Sequence, residues 1–252
     1  MKTIYLIPNF FTLGNAFCGF YSIISTINGR FTTAAIFILI AGLFDILDGK
    51  IARVTKSSSK FGVEFDSLAD LISFGVAPGL LVYLWALKPY GRGWLAAFLF
   101  VACGALRLAR FNVLVDKVSM DRFVGLPIPI AAGTLASFII LQEQVIGKLP
   151  HQAIVMAILT YVLSLLMVSS IKYRSFKKVS YRNKNPYSIL VLATLILIVI
   201  ASHPETMFFI LFFTYVLSGP IELLISKRKQ LAKTEVNPQE KEVKSPNSEH
   251  LS

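Results

Sequence analysis

Apolar residues along the chain come in long blocks rather than at helical or strand spacing. Crossing about 30 Å of hydrocarbon takes roughly 20 apolar residues in a helix. Eight blocks meet that length closely enough to be read as spans: 8–27, 31–54, 61–87, 94–112, 126–146, 152–171, 187–203 and 206–225. The pattern predicts an all-α polytopic membrane protein of about eight spans. The last two blocks are joined by a tight turn at Pro204 and Glu205. They form a hairpin expected to be dispensable for chemistry carried elsewhere.

Composition agrees with the blocks. The 252 residues are 55% hydrophobic and only 15% charged, against about 25% charged in an average soluble domain. The net charge of +11 would suggest nucleic acid in a soluble protein. Here the basic residues lie between apolar blocks and in the tail, where they meet anionic headgroups, so no nucleic-acid partner is expected. Residues 172–184 (KYRSFKKVSYRNK) carry six bases and no acid. Lys56, Lys60, Arg107, Arg110, Lys117, Arg122, Lys227, Arg228, Lys229 and Lys233 fall on the same side. The opposite side holds only Arg30, Lys88, Arg92 and Lys148. The asymmetry predicts both termini in the cytoplasm, in the cell (inner) membrane. The polar stretch from Gln230 to Ser252 is expected to be disordered. Cys18 and Cys103 lie inside apolar blocks and read as small core residues.

The chemistry concentrates in one stretch, LFDILDGKIARVTKSSSKFGVEFDSLADLISFG. It holds all five acids found before Asp116: Asp45, Asp48, Glu64, Asp66 and Asp70. An aspartate at the centre of a span costs roughly 2.5–3.5 kcal/mol, so four would cost on the order of 10 kcal/mol or more as an upper bound. Lys50 and Arg53 are too few to pair them, and bound cations or substrate would offset the cost. Asp45 and Asp48 are three apart, Asp66 and Asp70 four apart, so each pair shares a helix face. A helical hairpin through residues 55–60 brings the pairs together as a set of hard oxygen ligands suited to Mg2+ or Mn2+. Such clusters can hold two ions about 3.5–4 Å apart. Gly49 and Ala52 leave room for a ligand, Gly62 allows close helix approach, and Arg53 can reach a phosphate. Glu64 breaks the spacing and reads as interfacial.

This stretch resembles the signature of the CDP-alcohol phosphatidyltransferase family, D-x-x-D-G-x-x-A-R, eight residues, G-x-x-x-D-x-x-x-D. Asp45, Asp48, Gly49, Ala52, Arg53, Gly62, Asp66 and Asp70 occupy all eight fixed positions. The resemblance implies a six-helix catalytic core over residues 1–171; the pattern of the chain itself follows it with a basic loop at 172–186, the hairpin at 187–225 and a tail at 226–252. The resemblance also implies that Asp45, Asp48, Asp66 and Asp70 hold two divalent ions and that Asp70 is the base. Gly49, Ala52 and Arg53 would surround the nucleotide and pyrophosphate, and a homodimer is the implied assembly.

Further local segments are similar to the membrane-integral phosphatidylserine synthases of that family. They are Ile7-Pro8-Asn9 with Thr12, Leu13, Gly14 and Asn15; Ser73-Phe74-Gly75 with Ala77-Pro78; residues 104–112 (GALRLARFN); and residues 125–129 (GLPIP). The implied reaction moves a phosphatidyl group from CDP-diacylglycerol to L-serine and releases CMP. Arg107 and Arg110, three apart, suit a serine carboxylate, and Asn112 adds a polar group. The same arginines also suit snorkelling to headgroups. Asn9 and Thr12 are placed to touch the nucleotide, or to cap a helix. Other acceptors, glycerol phosphate or inositol phosphate, remain open, with Lys56, Lys60 and Lys117 as an anion site. A cation transporter built on the same aspartates is the reading from another class. His151, His203 and His250 lie far from the aspartates in sequence, which leaves a phosphohistidine route without a nucleophile.

Overall fold

A computed structural model describes residues 6–55, 59–115, 122–147, 149–174, 194 and 202–236. Among them the chain is helical apart from turns and one short strand pair. The helices are α1 (Leu6–Ile27), α2 (Phe31–Val54), α3 (Lys60–Asp70), α4 (Ala77–Val82), α5 (Gly93–Val115), α6 (Ile128–Leu141), α7 (Gln152–Val168) and α8 (Pro204–Val236). Among the described residues, six stretches are long and apolar enough to cross a membrane: Pro8–Ile27, Phe31–Val54, Lys60–Leu87, Gly93–Val113, Ile128–Ile146 and Pro204–Ser226. Gln152–Val168 is a shorter apolar helix. The chain is a polytopic all-α membrane protein. The expected span at 187–203 and the tail beyond Val236 lie outside the described residues, except Thr194, Ser202 and His203. So do Lys56, Lys117, Lys148 and most of the basic loop at 172–184.

The third span, expected as one regular helix, is built in pieces. Two π-helical segments, Leu71–Val76 and Tyr83–Leu87, flank α4. Pro78 explains the first. Its ring removes an N–H and clashes with the carbonyl four residues back, and a wider turn upstream accommodates both. A third π-helical turn, Gln142–Ile146, ends the span begun by α6.

Apolar burial drives little helix association inside lipid, so close packing must do it. The core meets that need with small side chains. Ala34, Ala35 and Ala41 of α2, Ala77 of α4, and Ala131, Ala132 and Ala136 of α6 are fully buried. Helix α6 lies at the centre, packed against α2, α7 and α8. Ser22 Oγ donates to the Ala34 carbonyl at 2.9 Å and ties α1 to α2.

Two features depart from the expected boundaries. The sixth span ends at Val168, and residues Lys172–Arg174 (β2) pair antiparallel with Arg122–Val124 (β1). Gly125, at φ 82°, makes the turn out of β1. Its amide donates to the Ile171 carbonyl at 2.8 Å. The last helix begins at Pro204, where a proline suits a helix start, and runs on to Val236 rather than ending at 225. Residues 226–236 (SKRKQLAKTEV) are rich in strong helix formers, so the helix outlasts the apolar block.

Candidate active site

The site lies where α1, α2 and α3 meet. Thr55 Oγ donates back to the Ile51 carbonyl at 2.7 Å as α2 ends. Ser59 then caps α3, its hydroxyl accepting from the Gly62 amide at 3.0 Å. This cap sets the start of α3 and therefore the phase at which Asp66 and Asp70 face α2.

Ligand oxygens of Asp45, Asp48 and Asp66 lie within 4.8 Å of one another. Asp70 is not part of that triad. It is buried one turn further on, within electrostatic reach of Asp45, Asp66 and Asp48. Asp66 Oδ1 is buried and has no hydrogen-bond partner. Three converging carboxylates and an unsatisfied buried oxygen are costly for a protein alone. Their hard donor set fits a divalent cation such as Mg2+ or Mn2+. The hairpin expected from the spacing is therefore what forms, with three of its four aspartates converging on one point.

Helix α1 supplies the hydrogen bonds that hold these carboxylates. Thr12 Oγ1 donates to Asp48 Oδ2 at 3.1 Å and contacts the Pro8 carbonyl at 3.2 Å. Asn15 Nδ2 donates to Asp70 Oδ1 at 2.9 Å, and Ser73 Oγ donates to the Asn15 carbonyl at 2.9 Å. Asn15 and Ser73 are fully buried. Neither was assigned a role from sequence. The available signal was a polar residue three after Thr12 in an apolar helix, hence on the same face.

The other candidate residues distribute as follows. Asn9, on α1, is half-buried against the start of α3, where a Cβ on Gly62 would sit 3.4 Å from Asn9 Oδ1 and 3.2 Å from Ser59 Oγ. Gly62 thus permits a close approach of α1 to α3, rather than of the two hairpin helices α2 and α3 as expected. Gly49 and Ala52 are half-buried on α2. Among the described residues, a Cβ on Gly49 would meet only Arg53 Nη2, at 3.9 Å. Arg53 is exposed and folds back along its own helix, Nε donating to the Gly49 carbonyl at 2.7 Å. Arg107 turns inward, within electrostatic reach of Asp70, while Arg110 stays exposed. Asn112 is engaged with α3: its Nδ2 donates to Ser67 Oγ at 3.0 Å and to Glu64 Oε2 at 3.4 Å. Glu64 is exposed, as expected. His151 and His203 lie at the turns before α7 and α8 and take no part in the cluster.

Comparison with known proteins agrees with this geometry. A family model described as CDP-alcohol phosphatidyltransferase matches residues 5–171. The chain is 37% identical over 199 residues to a CDP-diacylglycerol–serine O-phosphatidyltransferase of Helicobacter pylori, covering 79% of this chain and 84% of that protein. It is 39% identical over 179 residues to one of Bacillus subtilis, covering 70% and 94%. It is 42% identical over 169 residues to an archaetidylserine synthase of Methanothermobacter thermautotrophicus, covering 66% and 69%.

Proposed function

The chain belongs to the CDP-alcohol phosphatidyltransferase family, and from that premise we propose that it transfers the phosphatidyl group of CDP-diacylglycerol to the hydroxyl of L-serine, giving phosphatidylserine and CMP. The observation that carries the reading is the Asp45–Asp48–Asp66 triad beside an Asp70 held by Asn15. Membership of a transferase family takes the support from a cation transporter. Serine is favoured over glycerol phosphate or inositol phosphate because relatives with either lipid type bear serine in their names.

Asp45, Asp48 and Asp66, with Asp70 beside them, would hold two Mg2+ or Mn2+ ions. When bound, the ions supply positive charge against the pyrophosphate and the leaving CMP. Asp70 is the base: it accepts the proton of the serine hydroxyl as that oxygen forms a bond to the lipid-bearing phosphorus. The bond from that phosphorus to the CMP oxygen breaks. Asn15 keeps Oδ1 of Asp70 engaged, which leaves its other oxygen to receive the proton. Asn9, Thr12, Gly49, Ala52, Arg53 and Gly62 line the nucleotide and pyrophosphate side. Thr12 reaches it through Asp48, and Arg53 would swing from its own helix to the phosphates. Arg107 pairs with the serine carboxylate, with Arg110 and Asn112 at the outer edge of that subsite. An arginine fork suits a carboxylate better than a lysine does.

The catalytic core is assigned to residues 1–171, followed by the basic loop at 172–186, the hairpin at 187–225 and the tail from 226. The enzyme is placed in the cell (inner) membrane with the aspartates near the cytoplasmic face, both termini cytoplasmic, as a homodimer among membrane lipids. The test is CMP release from CDP-diacylglycerol by the purified protein with Mn2+ or Mg2+, with and without serine, beside Asp70→Asn. Serine-dependent release abolished by the variant and by a chelator is the expected result. Release only with another alcohol would discard serine and keep the family reaction. Archaetidylserine synthesis is the second reading, favoured by the 42% identity to that synthase. A CDP-linked ether lipid as donor tests it.

A further inference from the structure

Helix α8 lies beyond the family-matched residues 5–171, and from sequence its hairpin looked separable from the chemistry. Its packing says otherwise. Gly133 of α6 receives the Phe212 ring, so that a Cβ there would fall 2.7 Å from it. Phe138 packs on Phe209 with ring centroids 5.5 Å apart. Lower on the helix, Tyr173 of β2 is fully buried. Its ring stacks on Tyr215 at 5.7 Å and 20°, and its hydroxyl donates to the Val216 carbonyl at 3.3 Å. Gly219 lies flat against the same ring, where any Cβ would collide. Burial, and then the neighbouring Tyr215, push the Tyr173 hydroxyl up to about 12, so Tyr173 stays a protonated donor. The strand pair β1–β2 thus ties the end of the core to one face of α8 and fixes where Tyr215 stands.

The Tyr215 hydroxyl and the Arg107 guanidinium lie within electrostatic reach of each other, and Arg107 in turn lies within electrostatic reach of Asp70. Arg107 Nε is buried with no hydrogen-bond partner. A guanidinium has five donors in a fixed plane. A buried one with an unsatisfied edge is held by its neighbours or it turns away from its ligand. We infer that Tyr215, clamped by the Tyr173 stack, is a positioning residue that aims Arg107 at the carboxylate of an amino-acid acceptor, which makes α8 part of the acceptor subsite. The inference rests on the serine reading, through Arg107.

The experiment uses the full-length protein in detergent with Mn2+, reading CMP release while serine and CDP-diacylglycerol are varied separately. Tyr215→Phe keeps the ring and its stack and removes only the hydroxyl. The KM for serine should rise on the order of tenfold, with kcat and the KM for CDP-diacylglycerol within about twofold, because only ground-state and transition-state binding of one substrate is lost. Ethanolamine, which is serine without its carboxylate, provides the second readout. The preference for serine over ethanolamine should shrink by a similar factor in Tyr215→Phe. Tyr215→Leu, which also loses the stack, should move both quantities further in the same direction. An active wild type beside a Tyr215→Phe with unchanged serine KM and unchanged preference overturns the inference. So does an equal rise in both KM values, the mark of a merely structural role. A wild type that releases CMP with another alcohol but not with serine overturns the serine reading and the inference with it, a result distinct from the first two.

Discussion

Asn15 donates its side-chain amide to Oδ1 of Asp70 at 2.9 Å, across the contact between α1 and α3. Three residues earlier, Thr12 donates to Asp48. One face of α1 therefore holds one carboxylate from each half of the aspartate signature. Asn15→Leu keeps approximate volume and removes the donor. The base would be free to rotate, and a buried carboxylate would lose a charge-assisted hydrogen bond of about 1.5–3 kcal/mol. Expected is a fall in kcat of roughly ten- to a hundredfold with little change in either KM, a loss confined to the transition state. Asn15→Asp should be worse than Asn15→Leu, since it sets a like charge against Asp70. Steady-state CMP release checks both, and equal activity of the two variants would speak against the proposed role.

Thr12 tests the other half. Thr12→Val removes the hydroxyl from Asp48 at nearly constant shape, whereas Thr12→Ser keeps it. Partners that orient a metal ligand are typically worth 10–100-fold in metal affinity. Thr12→Val should therefore need about that much more Mn2+ for half-maximal activity, while Thr12→Ser stays close to wild type. A Mn2+ titration of the rate separates this from nucleotide binding by Thr12, which would raise the KM for CDP-diacylglycerol instead.

Asp66 gives a prediction with opposite signs in two conditions. Its Oδ1 is buried without a partner, and it shares a 4.8 Å cluster with Asp45 and Asp48. In chelator, Asp66→Asn relieves like-charge repulsion, and the melting temperature should rise by about 2–4 °C for each kcal/mol relieved. With Mn2+ added, wild type should gain stability by mass action and Asp66→Asn should not. Thermal unfolding in detergent, with and without Mn2+, reads both. A variant that still responds to Mn2+ like wild type would remove Asp66 from the metal site.

Much of this was legible in sequence, for reasons particular residues make plain. The α2 block ended at Val54 because Thr55 and the polar residues after it stop the span, and α2 does end there. The aspartates were visible because carboxylates in apolar helices demand an explanation. The π-helical turns were not visible: Pro78, with Gly75 and Gly79 beside it, marks a weak point in the third span but not the form the break takes, and nothing marks the turns at Tyr83–Leu87 and Gln142–Ile146. Nor was the pairing of Arg122–Val124 with Lys172–Arg174, three residues a side, where tertiary contact and not alternation makes the strand. Arg107 and Arg110 looked equivalent at a spacing of three. Only the packed bundle turns one inward and leaves the other exposed. Tyr215 lay too far along the chain, among other aromatics, to be singled out.

Gly19 and Gly42 allow a comparison in which glycine-to-alanine changes take opposite signs. A Cβ on Gly19 would sit 2.6 Å from Ser73 Cα and 2.9 Å from Ser73 Cβ. Backbone cannot yield as a side-chain tip can, so α1 must move away from the segment that follows Asp70. Overpacking of this kind costs about 1–3 kcal/mol. The shift would also strain the Ser73–Asn15 and Asn15–Asp70 hydrogen bonds, so Gly19→Ala should lose both stability and rate. A Cβ on Gly42 would find Phe74 Cε1 at 3.9 Å, an ordinary contact. Gly42→Ala should then be neutral or stabilising by up to about 1 kcal/mol, the helix-propensity difference between the two residues, with the rate unchanged. Melting temperature and CMP release on the two variants decide the matter. If Gly19→Ala proves as harmless as Gly42→Ala, the close seat of α1 on Ser73 does not govern the position of Asp70.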